Sequence, residues 1–293
     1  MVEMTSSPPH RRSARSGNPT SEPTARPLRI LLAEDNRVNQ QYAALILAKA
    51  GHSVEIAANG RLAVEALGRS DFDVVLMDIQ MPELDGVAAT RQIRALPEPK
   101  GSVPIIAVTA HAMAGAKEEY LAAGMNDYIA KPFQPPLLLG ALAKISDRNA
   151  GQAAAPESPG GETDAAGIAD LPVLDLEQLN TLGSVFSLAK IKTLASLYVL
   201  DVEARLALIQ EFRANVDFEG VSRQAHMIVS TAGNLGAKQS SALAHALEVS
   251  CLSQDDARSD RLIAELRASC ELSSATLKRW LAEQSPTRIA LNS

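Results

Sequence analysis

The sequence predicts two domains of different class: an α/β domain with a five-stranded parallel sheet covered by helices on both faces, and a C-terminal all-α four-helix bundle. Three observations lead to this prediction. Short apolar runs alternate with helical periods between residues 28 and 146, as they do in parallel sheets whose strands are buried on both faces. A stretch rich in Ala, Gly and Pro then interrupts the periodicity. Only helical periods follow it.

The α/β half begins with a predicted strand at 29–33, and Asn36 is available to cap the helix that follows. Residues 54–56 alternate apolar with polar side chains, which is typical of an edge strand. The strand at 73–78 is apolar up to its last residue, as a central strand should be. The remaining predicted elements of this half are helices at 61–67, 87–96, 114–123 and 136–145, and strands at 103–108 and 128–130.

Polar side chains stand at the carboxyl ends of four of these strands, where open α/β sheets place their ligands. Glu34 and Asp35 follow the first strand, Asp78 ends the third, Thr109 ends the fourth and Lys131 follows the fifth. One acid after an apolar run is often only a solvated strand end. Four such ends carrying acids, a hydroxyl and an amine indicate a functional edge of the sheet.

Residues 28–146 resemble the receiver domain of two-component response regulators. The matching segments, in the family's order, are Glu34-Asp35-Asn36, Asp78 with Met81-Pro82 and Asp85-Gly86, Thr109-Ala110, and Lys131-Pro132-Phe133. The resemblance implies a flavodoxin-like strand order of 2-1-3-4-5. It also implies that Asp78 is the nucleophile that forms an aspartyl phosphate.

That strand order brings Glu34, Asp35 and Asp78 into one pocket. Carboxylates about 4 Å apart repel each other by roughly 4 kcal/mol at an effective dielectric of about 20. A divalent cation removes this conflict, and oxygen-only ligands with open positions favour Mg²⁺. By resemblance, Asp35 and Asp78 bind the ion with their carboxylates, Gln80 with its backbone carbonyl, and Glu34 directly or through water.

The resemblance also implies groups that contact the phosphoryl oxygens. These are the Lys131 ammonium, the Thr109 hydroxyl and the Ala110 backbone amide. Tyr128 matches the aromatic switch position, whose side chain rotates into the space that Thr109 leaves after phosphorylation. A half-buried edge tyrosine is the alternative interpretation of Tyr128. The Lys131-Pro132 bond resembles the family's cis peptide.

Composition narrows the classes of partner and the location. A net charge of -6 and 3% aromatic residues argue against a nucleic-acid surface, which needs basic stripes or stacking platforms. No run approaches the ~20 apolar residues of a membrane span. Residues 1–27 lack the apolar core of a secretory signal and are expected to be a disordered tail. Cys251 and Cys270 have no metal-ligand companions, which predicts buried thiols and a cytoplasmic protein.

A flexible linker is expected at 147–172, a helical domain at 173–284 and a short tail at 285–293. In the helical domain, a short leading helix precedes four longer helical periods joined by short turns, as in antiparallel bundles. The four periods cover residues 189–212, 218–233, 236–252 and 255–282. The first of them is expected as two helices or as one helix bent near Asp201.

One helix of this bundle carries a histidine beside its apolar stripe. His226 has the small residues Ser222, Ser230 and Gly233 at helical intervals. Small neighbours let a concave pocket of another protein approach the imidazole closely. A bare histidine on a helix is more often only a surface residue, so this observation alone is weak.

Residues 175–284 also resemble the histidine phosphotransfer domain. The match rests on Ala225-His226 and on the downstream segment Asn234-Leu235-Gly236-Ala237. It implies that His226 accepts a phosphoryl group. Val229 replaces the family's usual lysine and Ser230 its usual glycine, which leaves the lifetime and transfer rate of the phosphohistidine open.

The leading hypothesis is a phosphorelay protein. Asp78 accepts a phosphoryl group from a sensor histidine kinase, or returns it, and His226 exchanges it with a receiver-domain protein or with Asp78. No glycine-rich nucleotide site is present, so the chain is expected not to be a kinase that uses ATP. One alternative is a metal-dependent phosphohydrolase, although Gln80 occupies the position where such enzymes carry a second acid. The other is a scaffold with an inactive phosphotransfer domain.

Overall fold

The computed structural model of this chain describes residues 26–109, 116–147 and 165–284. The first half is an α/β domain. Its strands are β1 (Arg29–Ala33), β2 (Ser53–Ala57), β3 (Val74–Asp78), β4 (Ile105–Thr109) and β5 (Asp127–Ala130). Its helices are α1 (Arg37–Lys49), α2 (Gly60–Arg69), α3 (Gly86–Arg94), α4 (Ala116–Ala122) and α5 (Pro135–Asp147). Residues 1–25 of the tail predicted at 1–27, and the whole of the tail predicted at 285–293, lie outside the described residues.

The five strands form one parallel sheet in the order β2-β1-β3-β4-β5, which confirms the predicted topology. β2 is an edge strand, as its alternating residues predicted. Every residue of β3 and β4 is buried, which explains why their sequences are almost wholly apolar. Since all strands are parallel, the ends of β1, β3, β4 and β5 meet at one edge of the sheet.

Local sequence determines where the helices beside this edge begin. The Asn36 side chain accepts hydrogen bonds from the backbone nitrogens of Val38 and Asn39, and therefore caps α1 as predicted. After β3 the chain folds tightly back, and a Cβ at Gly86 would lie 2.1 Å from the Asp78 carbonyl oxygen. Only glycine permits this close approach of α3 to the end of β3.

The second half is helical. Its elements are α6 (Ala165–Ile168), α7 (Leu176–Val185), α8 (Leu188–Ala214), α9 (Phe218–Asn234), α10 (Lys238–Leu252) and α11 (Asp256–Glu283). Helices α8 to α11 form the predicted four-helix bundle, in which α8 and α10 each pack against both α9 and α11. α8 is one helix of 27 residues, which excludes the predicted alternative of two separate helices. No described helix has both the length and the apolar character required to cross a membrane.

The structure departs from the predicted linker at its end. Residues 165–168 form α6, which packs against α10, and Ile168 is buried in the apolar core. The backbone nitrogen of Gln239 also donates to the Pro172 carbonyl. A helix of four residues is too short to produce a visible period, which is why the sequence pattern missed it. Residues 148–164 of the linker predicted at 147–172 lie outside the described residues.

The two halves pack against each other. α1 contacts both α8 and α9, and one continuous cluster of buried apolar residues includes Tyr42 and Phe133 from the α/β half and Val202 from the bundle. Burial raises the pKa of the Tyr42 hydroxyl to about 12, and this hydroxyl is hydrogen-bonded to Gln178 of α7. The end of β1 and the end of β5 are therefore covered by the helical half.

Candidate functional site

Three carboxylates meet at the carboxyl edge of the sheet. Glu34 and Asp35 directly follow β1, and Asp78 is the last residue of the adjacent strand β3. One carboxylate oxygen from each residue lies within 4.8 Å of the other two. Glu34 and Asp78 are almost completely buried, with 0% and 1% of their surface exposed. The structure thus brings together the acidic residues that the sequence predicted.

Lys131 lies between two of these acids. Its Nζ is 2.6 Å from Asp78 Oδ2 and 2.8 Å from Glu34 Oε2. Its backbone nitrogen donates to the Thr109 carbonyl at 2.7 Å, which fixes the start of the loop after β5. Burial alone would lower the pKa of Lys131, but the charges of the two carboxylates outweigh it and hold this pKa above its ordinary value. Lys131 is therefore a buried ammonium.

The acidic cluster carries more negative charge than Lys131 can balance. Three ionised carboxylates and one ammonium leave two negative charges, the charge that a divalent cation neutralises. Burial, followed by the charge of Glu34, raises the pKa of Asp35 to about 6. Burial likewise raises the pKa of Asp78, although Lys131 opposes this shift.

The ligand atoms also fit a hard cation. Asp35 Oδ1 is buried and has no hydrogen-bond partner in the described part of the chain. An orphaned carboxylate oxygen costs free energy unless a cation or a donor reaches it. All of the available side-chain ligands are oxygens, which Mg²⁺ prefers. The arrangement therefore suits Mg²⁺ held by Glu34, Asp35 and Asp78.

The structure describes most, but not all, of the other residues predicted to contact the phosphoryl group or the metal ion. Thr109 lies at the end of β4, next to β3, and is buried. The bond between Lys131 and Pro132 is cis, as the resemblance implied. Ala110 lies outside the described residues. The backbone nitrogen of Gln80, a predicted metal ligand through its carbonyl, is 3.3 Å from Asp78 Oδ1 and donates to it.

Sequence reasoning missed the tyrosine that touches Thr109. The Thr109 hydroxyl is 3.1 Å from the hydroxyl of Tyr120, a buried residue of α4. Tyr128, the predicted switch residue, is half-buried on β5, and the Lys117 ammonium lies 6.0 Å from the centre of its ring. No spacing in the sequence links Tyr120 to the end of β4, because the contact depends on how α4 packs against the sheet.

His226 lies on α9 and is buried, with 4% of its surface exposed. Its Nδ1 is 3.0 Å from Oε1 of Glu248 on α10. Because a carboxylate accepts hydrogen bonds, this contact assigns the ring proton to Nδ1 and leaves a lone pair on Nε2. The sequence assigned no role to Glu248. The indication in the sequence was its position, because this acid lies one helical turn after Ala244, a buried residue of the same helix.

A cavity of about 810 Å³ separates the acidic cluster from the histidine. Asp35 and Gln80 line it from the α/β half, and His226, Glu248 and Arg205 line it from the bundle. Sequence reasoning expected the surface around His226 to be open to another protein. In the structure that surface faces the carboxyl edge of the chain's own sheet. Asp35 of the acidic cluster and His226 of the bundle therefore line the same cavity.

Comparison with protein-family models identifies a response regulator receiver domain at residues 30–143 and an Hpt domain at residues 193–276. The aerobic respiration control sensor protein ArcB of Escherichia coli K12 is 27% identical over 258 residues, which cover 87% of this chain and 32% of ArcB. The signal transduction histidine-protein kinase BarA of the same organism is 41% identical over 116 residues, 40% of this chain and 12% of BarA.

A solved receiver domain of a Pseudomonas aeruginosa PAO1 sensor histidine kinase, crystallised with a magnesium ion in its active-site cleft, is 45% identical. The match covers 42% of this chain and 97% of that chain, with a TM-score of 0.37. The chain spans about a third of ArcB and an eighth of BarA. The two family models match the two halves of the fold, and the chain accordingly carries a response regulator receiver domain followed by an Hpt domain.

Proposed function

We propose that this chain acts in a phosphorelay, in which Asp78 accepts a phosphoryl group from the phosphohistidine of a sensor histidine kinase and His226 exchanges it with a receiver aspartate. One observation carries the proposal. The buried Asp78–Lys131 pair stands within an acidic cluster, and that cluster shares a cavity with a histidine whose Nδ1 contacts a glutamate. The relatives named as sensor proteins and histidine kinases make a kinase the natural donor.

The chemistry at Asp78 is an in-line phosphoryl transfer. The carboxylate attacks phosphorus, a P–O bond forms, the P–N bond of the donor breaks, and the donor imidazole keeps the electron pair. Mg²⁺ held by Glu34, Asp35, Asp78 and the Gln80 carbonyl would neutralise negative charge on the transferring oxygens. Lys131 leaves Asp78 Oδ2 to pair with a phosphoryl oxygen, and the Thr109 hydroxyl donates to another.

The chemistry at His226 uses the opposite bond change. Nε2 attacks the phosphorus of an aspartyl phosphate, a P–N bond forms and the P–O bond to the aspartate breaks. The ring becomes positively charged because Nδ1 keeps its proton, and the Glu248 carboxylate at 3.0 Å stabilises that charge. The same contact holds the imidazole in one orientation. His226 is thereby prepared as a nucleophile without a separate base.

The proposal also covers the domain boundaries, the partners, the source of the phosphoryl group and the location of the protein. We place the receiver at 28–146 and the phosphotransfer domain at 173–284, with partners that are a sensor histidine kinase and a receiver-domain protein. Phosphoryl groups come from a partner rather than from ATP, and the location is the cytoplasm, where such kinases present their phosphohistidines. Gln80 argues against a phosphohydrolase because an amide cannot protonate a leaving group.

The test is a transfer assay with a radiolabelled, phosphorylated histidine kinase in the presence of Mg²⁺. Wild-type protein should become labelled, Asp78→Asn should not, and His226→Gln should keep an aspartyl label. Asp73→Asn is the matched control, because Asp73 lies at the opposite end of the same strand, where it contacts Arg29. Chelation with EDTA should abolish labelling. Label on Asp78→Asn, or sustained release of phosphate in place of stoichiometric labelling, contradicts the proposal.

A further inference from the structure

The helix that carries His226 uses one face to contact the receiver. His226, Ser230 and Asn234 follow one another at intervals of four residues on α9, so they lie along the same side of the helix. Ser230 is 1% exposed and Asn234 is 0% exposed. Two polar side chains this deeply buried require partners. Both of them find partners in the receiver domain.

Asn39 of α1 is the centre of this contact. Its Nδ2 donates to Ser230 Oγ at 2.9 Å, and its Oδ1 accepts from Asn234 Nδ2 at 3.0 Å. The same Nδ2 also donates to Glu34 Oε1 at 3.0 Å. Asn39 is itself 0% exposed. One amide therefore joins a residue of the acidic cluster to the helix of the phosphotransfer histidine.

Two further contacts fix the same arrangement. Asn234 Oδ1 accepts from the backbone nitrogen of Phe133 at 2.8 Å, next to Lys131. On the other side, Asn36 Nδ2 donates to both carboxylate oxygens of Asp201 on α8 at 3.1 and 3.2 Å. These bonds hold α9 and α8 against the ends of β1 and β5. A shift of the bundle by one turn along the α9 axis would break all of them at once.

Buried polar pairs of this kind discriminate between partners, because a mismatched surface leaves a buried donor or acceptor without a hydrogen bond. Ser230 occupies the position where the Hpt pattern has glycine, and glycine offers no side-chain acceptor. The hydroxyl is therefore a feature of this chain, and its partner is a residue of this chain's own receiver.

We propose that the Ser230–Asn39 pair selects the chain's own receiver as the phosphotransfer partner of His226, so that the phosphoryl group passes between Asp78 and His226 within one molecule. The inference rests on the proposed phosphorelay function and names its partner. In the transfer, the P–O bond to Asp78 breaks as the P–N bond to His226 Nε2 forms, and Asp78 leaves as a free carboxylate. Nδ1 keeps its proton throughout, so no other reactant is needed.

The first experiment separates transfer within a molecule from transfer between molecules. Full-length protein is labelled at Asp78 with radiolabelled acetyl phosphate and Mg²⁺, and alkali-stable label on His226 is followed over time. Wild type should transfer at a rate independent of protein concentration. A mixture of Asp78→Asn and His226→Gln should transfer more slowly, in proportion to concentration. Equal rates for the mixture and for wild type overturn the inference.

Failure of the phosphorelay proposal itself would give a different experimental result. If Asp78 never becomes labelled, or if label never reaches His226 in any sample, the phosphorelay proposal itself fails. If label reaches His226 only in a concentration-dependent manner, the relay stands and the inference within one molecule falls. The two failures are thus read from different measurements.

The second experiment tests the pair by a double-mutant cycle. Ser230→Ala should slow transfer to His226 about fivefold, because it removes the hydrogen bond from Asn39 across the domain contact. The Ser230 hydroxyl also donates to the Met227 carbonyl, but this second bond lies within α9. The same change in an Asn39→Ala background should have little further effect, because the partner is already gone. Ser250→Ala is the matched control, since its buried hydroxyl lies 3.0 Å from the Ser259 hydroxyl, inside the bundle and away from the receiver. Equal slowing by Ser230→Ala in both backgrounds, or slowing equal to the control, refutes the pairing.

Discussion

Gly233→Ala should loosen the contact between the two domains while leaving the bundle folded. Gly233 lies on α9, and a Cβ at this position would be 2.6 Å from Pro132 Cγ and 2.8 Å from Pro132 Cβ. Ordinary contacts between carbon atoms are about 3.5–4.0 Å. Because Pro132 belongs to the loop after β5, the receiver and the bundle must separate by about 1 Å to admit the methyl group.

Gly233→Ala should change the stability of the bundle and the strength of domain docking in opposite directions. Alanine is favoured over glycine inside a helix by about 1 kcal/mol, so the bundle should unfold at a slightly higher temperature. Overpacking at a closed surface costs about 1–3 kcal/mol. That cost lowers the docking equilibrium about 5- to 150-fold. A single substitution should therefore stabilise the helix and weaken the docking.

The assay is amide hydrogen exchange at Phe133, whose backbone nitrogen donates to Asn234 of the bundle. Exchange at this amide should accelerate in Gly233→Ala, and thermal unfolding should report the bundle separately. Gly140→Ala is the matched control, because a Cβ on this α5 glycine meets nothing within 4 Å. Unchanged protection of Phe133 in Gly233→Ala would falsify the tight docking that the distances describe.

Three further predictions concern the two sites and the core. Glu248→Gln should slow transfer to His226 about tenfold without changing aspartyl labelling, because an amide does not offset the positive ring. Mg²⁺ at 100 times its Kd should increase the free energy of unfolding of wild type by about 2.7 kcal/mol, which is measured as a rise in unfolding temperature. The increase should be much smaller in Asp35→Asn. Cys251 and Cys270 should resist a thiol reagent until the protein is denatured, since both are buried and burial raises the pKa of Cys270 to about 11.

Each of these predictions has a contrasting outcome. Glu265→Gln, on an exposed face of α11, is the charge-matched control for the glutamate, and an equal effect of the two would remove the special role of Glu248. Thermal scans with Ca²⁺ and with no added metal separate Mg²⁺ binding from a general salt effect. Rapid labelling of either thiol in the native protein would show that α10 or α11 opens far more readily than its burial implies.

Much of the receiver site could be predicted from the sequence because its information is local. The lengths of the apolar runs determine where β1 and β3 end, and the run ends are Glu34, Asp35 and Asp78. Alternation of strands and helices then places these two strands side by side. The position of Lys131 at the same edge of the sheet could be predicted in the same way, because Lys131 directly follows β5. The acidic cluster is thus a consequence of strand length and strand order.

The missed residues depend on packing between elements that are far apart in the chain. Glu248 reaches His226 across the α9–α10 contact, and Tyr120 reaches Thr109 from α4. Asn39 was only one polar position on an amphipathic helix. Its partners lie 191 and 195 residues away, in a separate domain. Periodicity reports which face of a helix is buried, but it does not report which domain covers that face.

The departure from the Hpt pattern at Val229 changes which residue supplies positive charge to the cavity. Val229 is buried in the apolar cluster, so the cation that the usual lysine supplies cannot come from that position. Arg205 of α8 lines the cavity instead, and its charge lowers the pKa of Asp35 against the effect of burial. It is held there by ion pairing to Asp201, the same carboxylate that Asn36 of the receiver contacts. The docked bundle therefore brings the Arg205 charge to the Asp35 carboxylate, and Arg91 of α3 and Arg223 of α9 add positive charge to the same cavity.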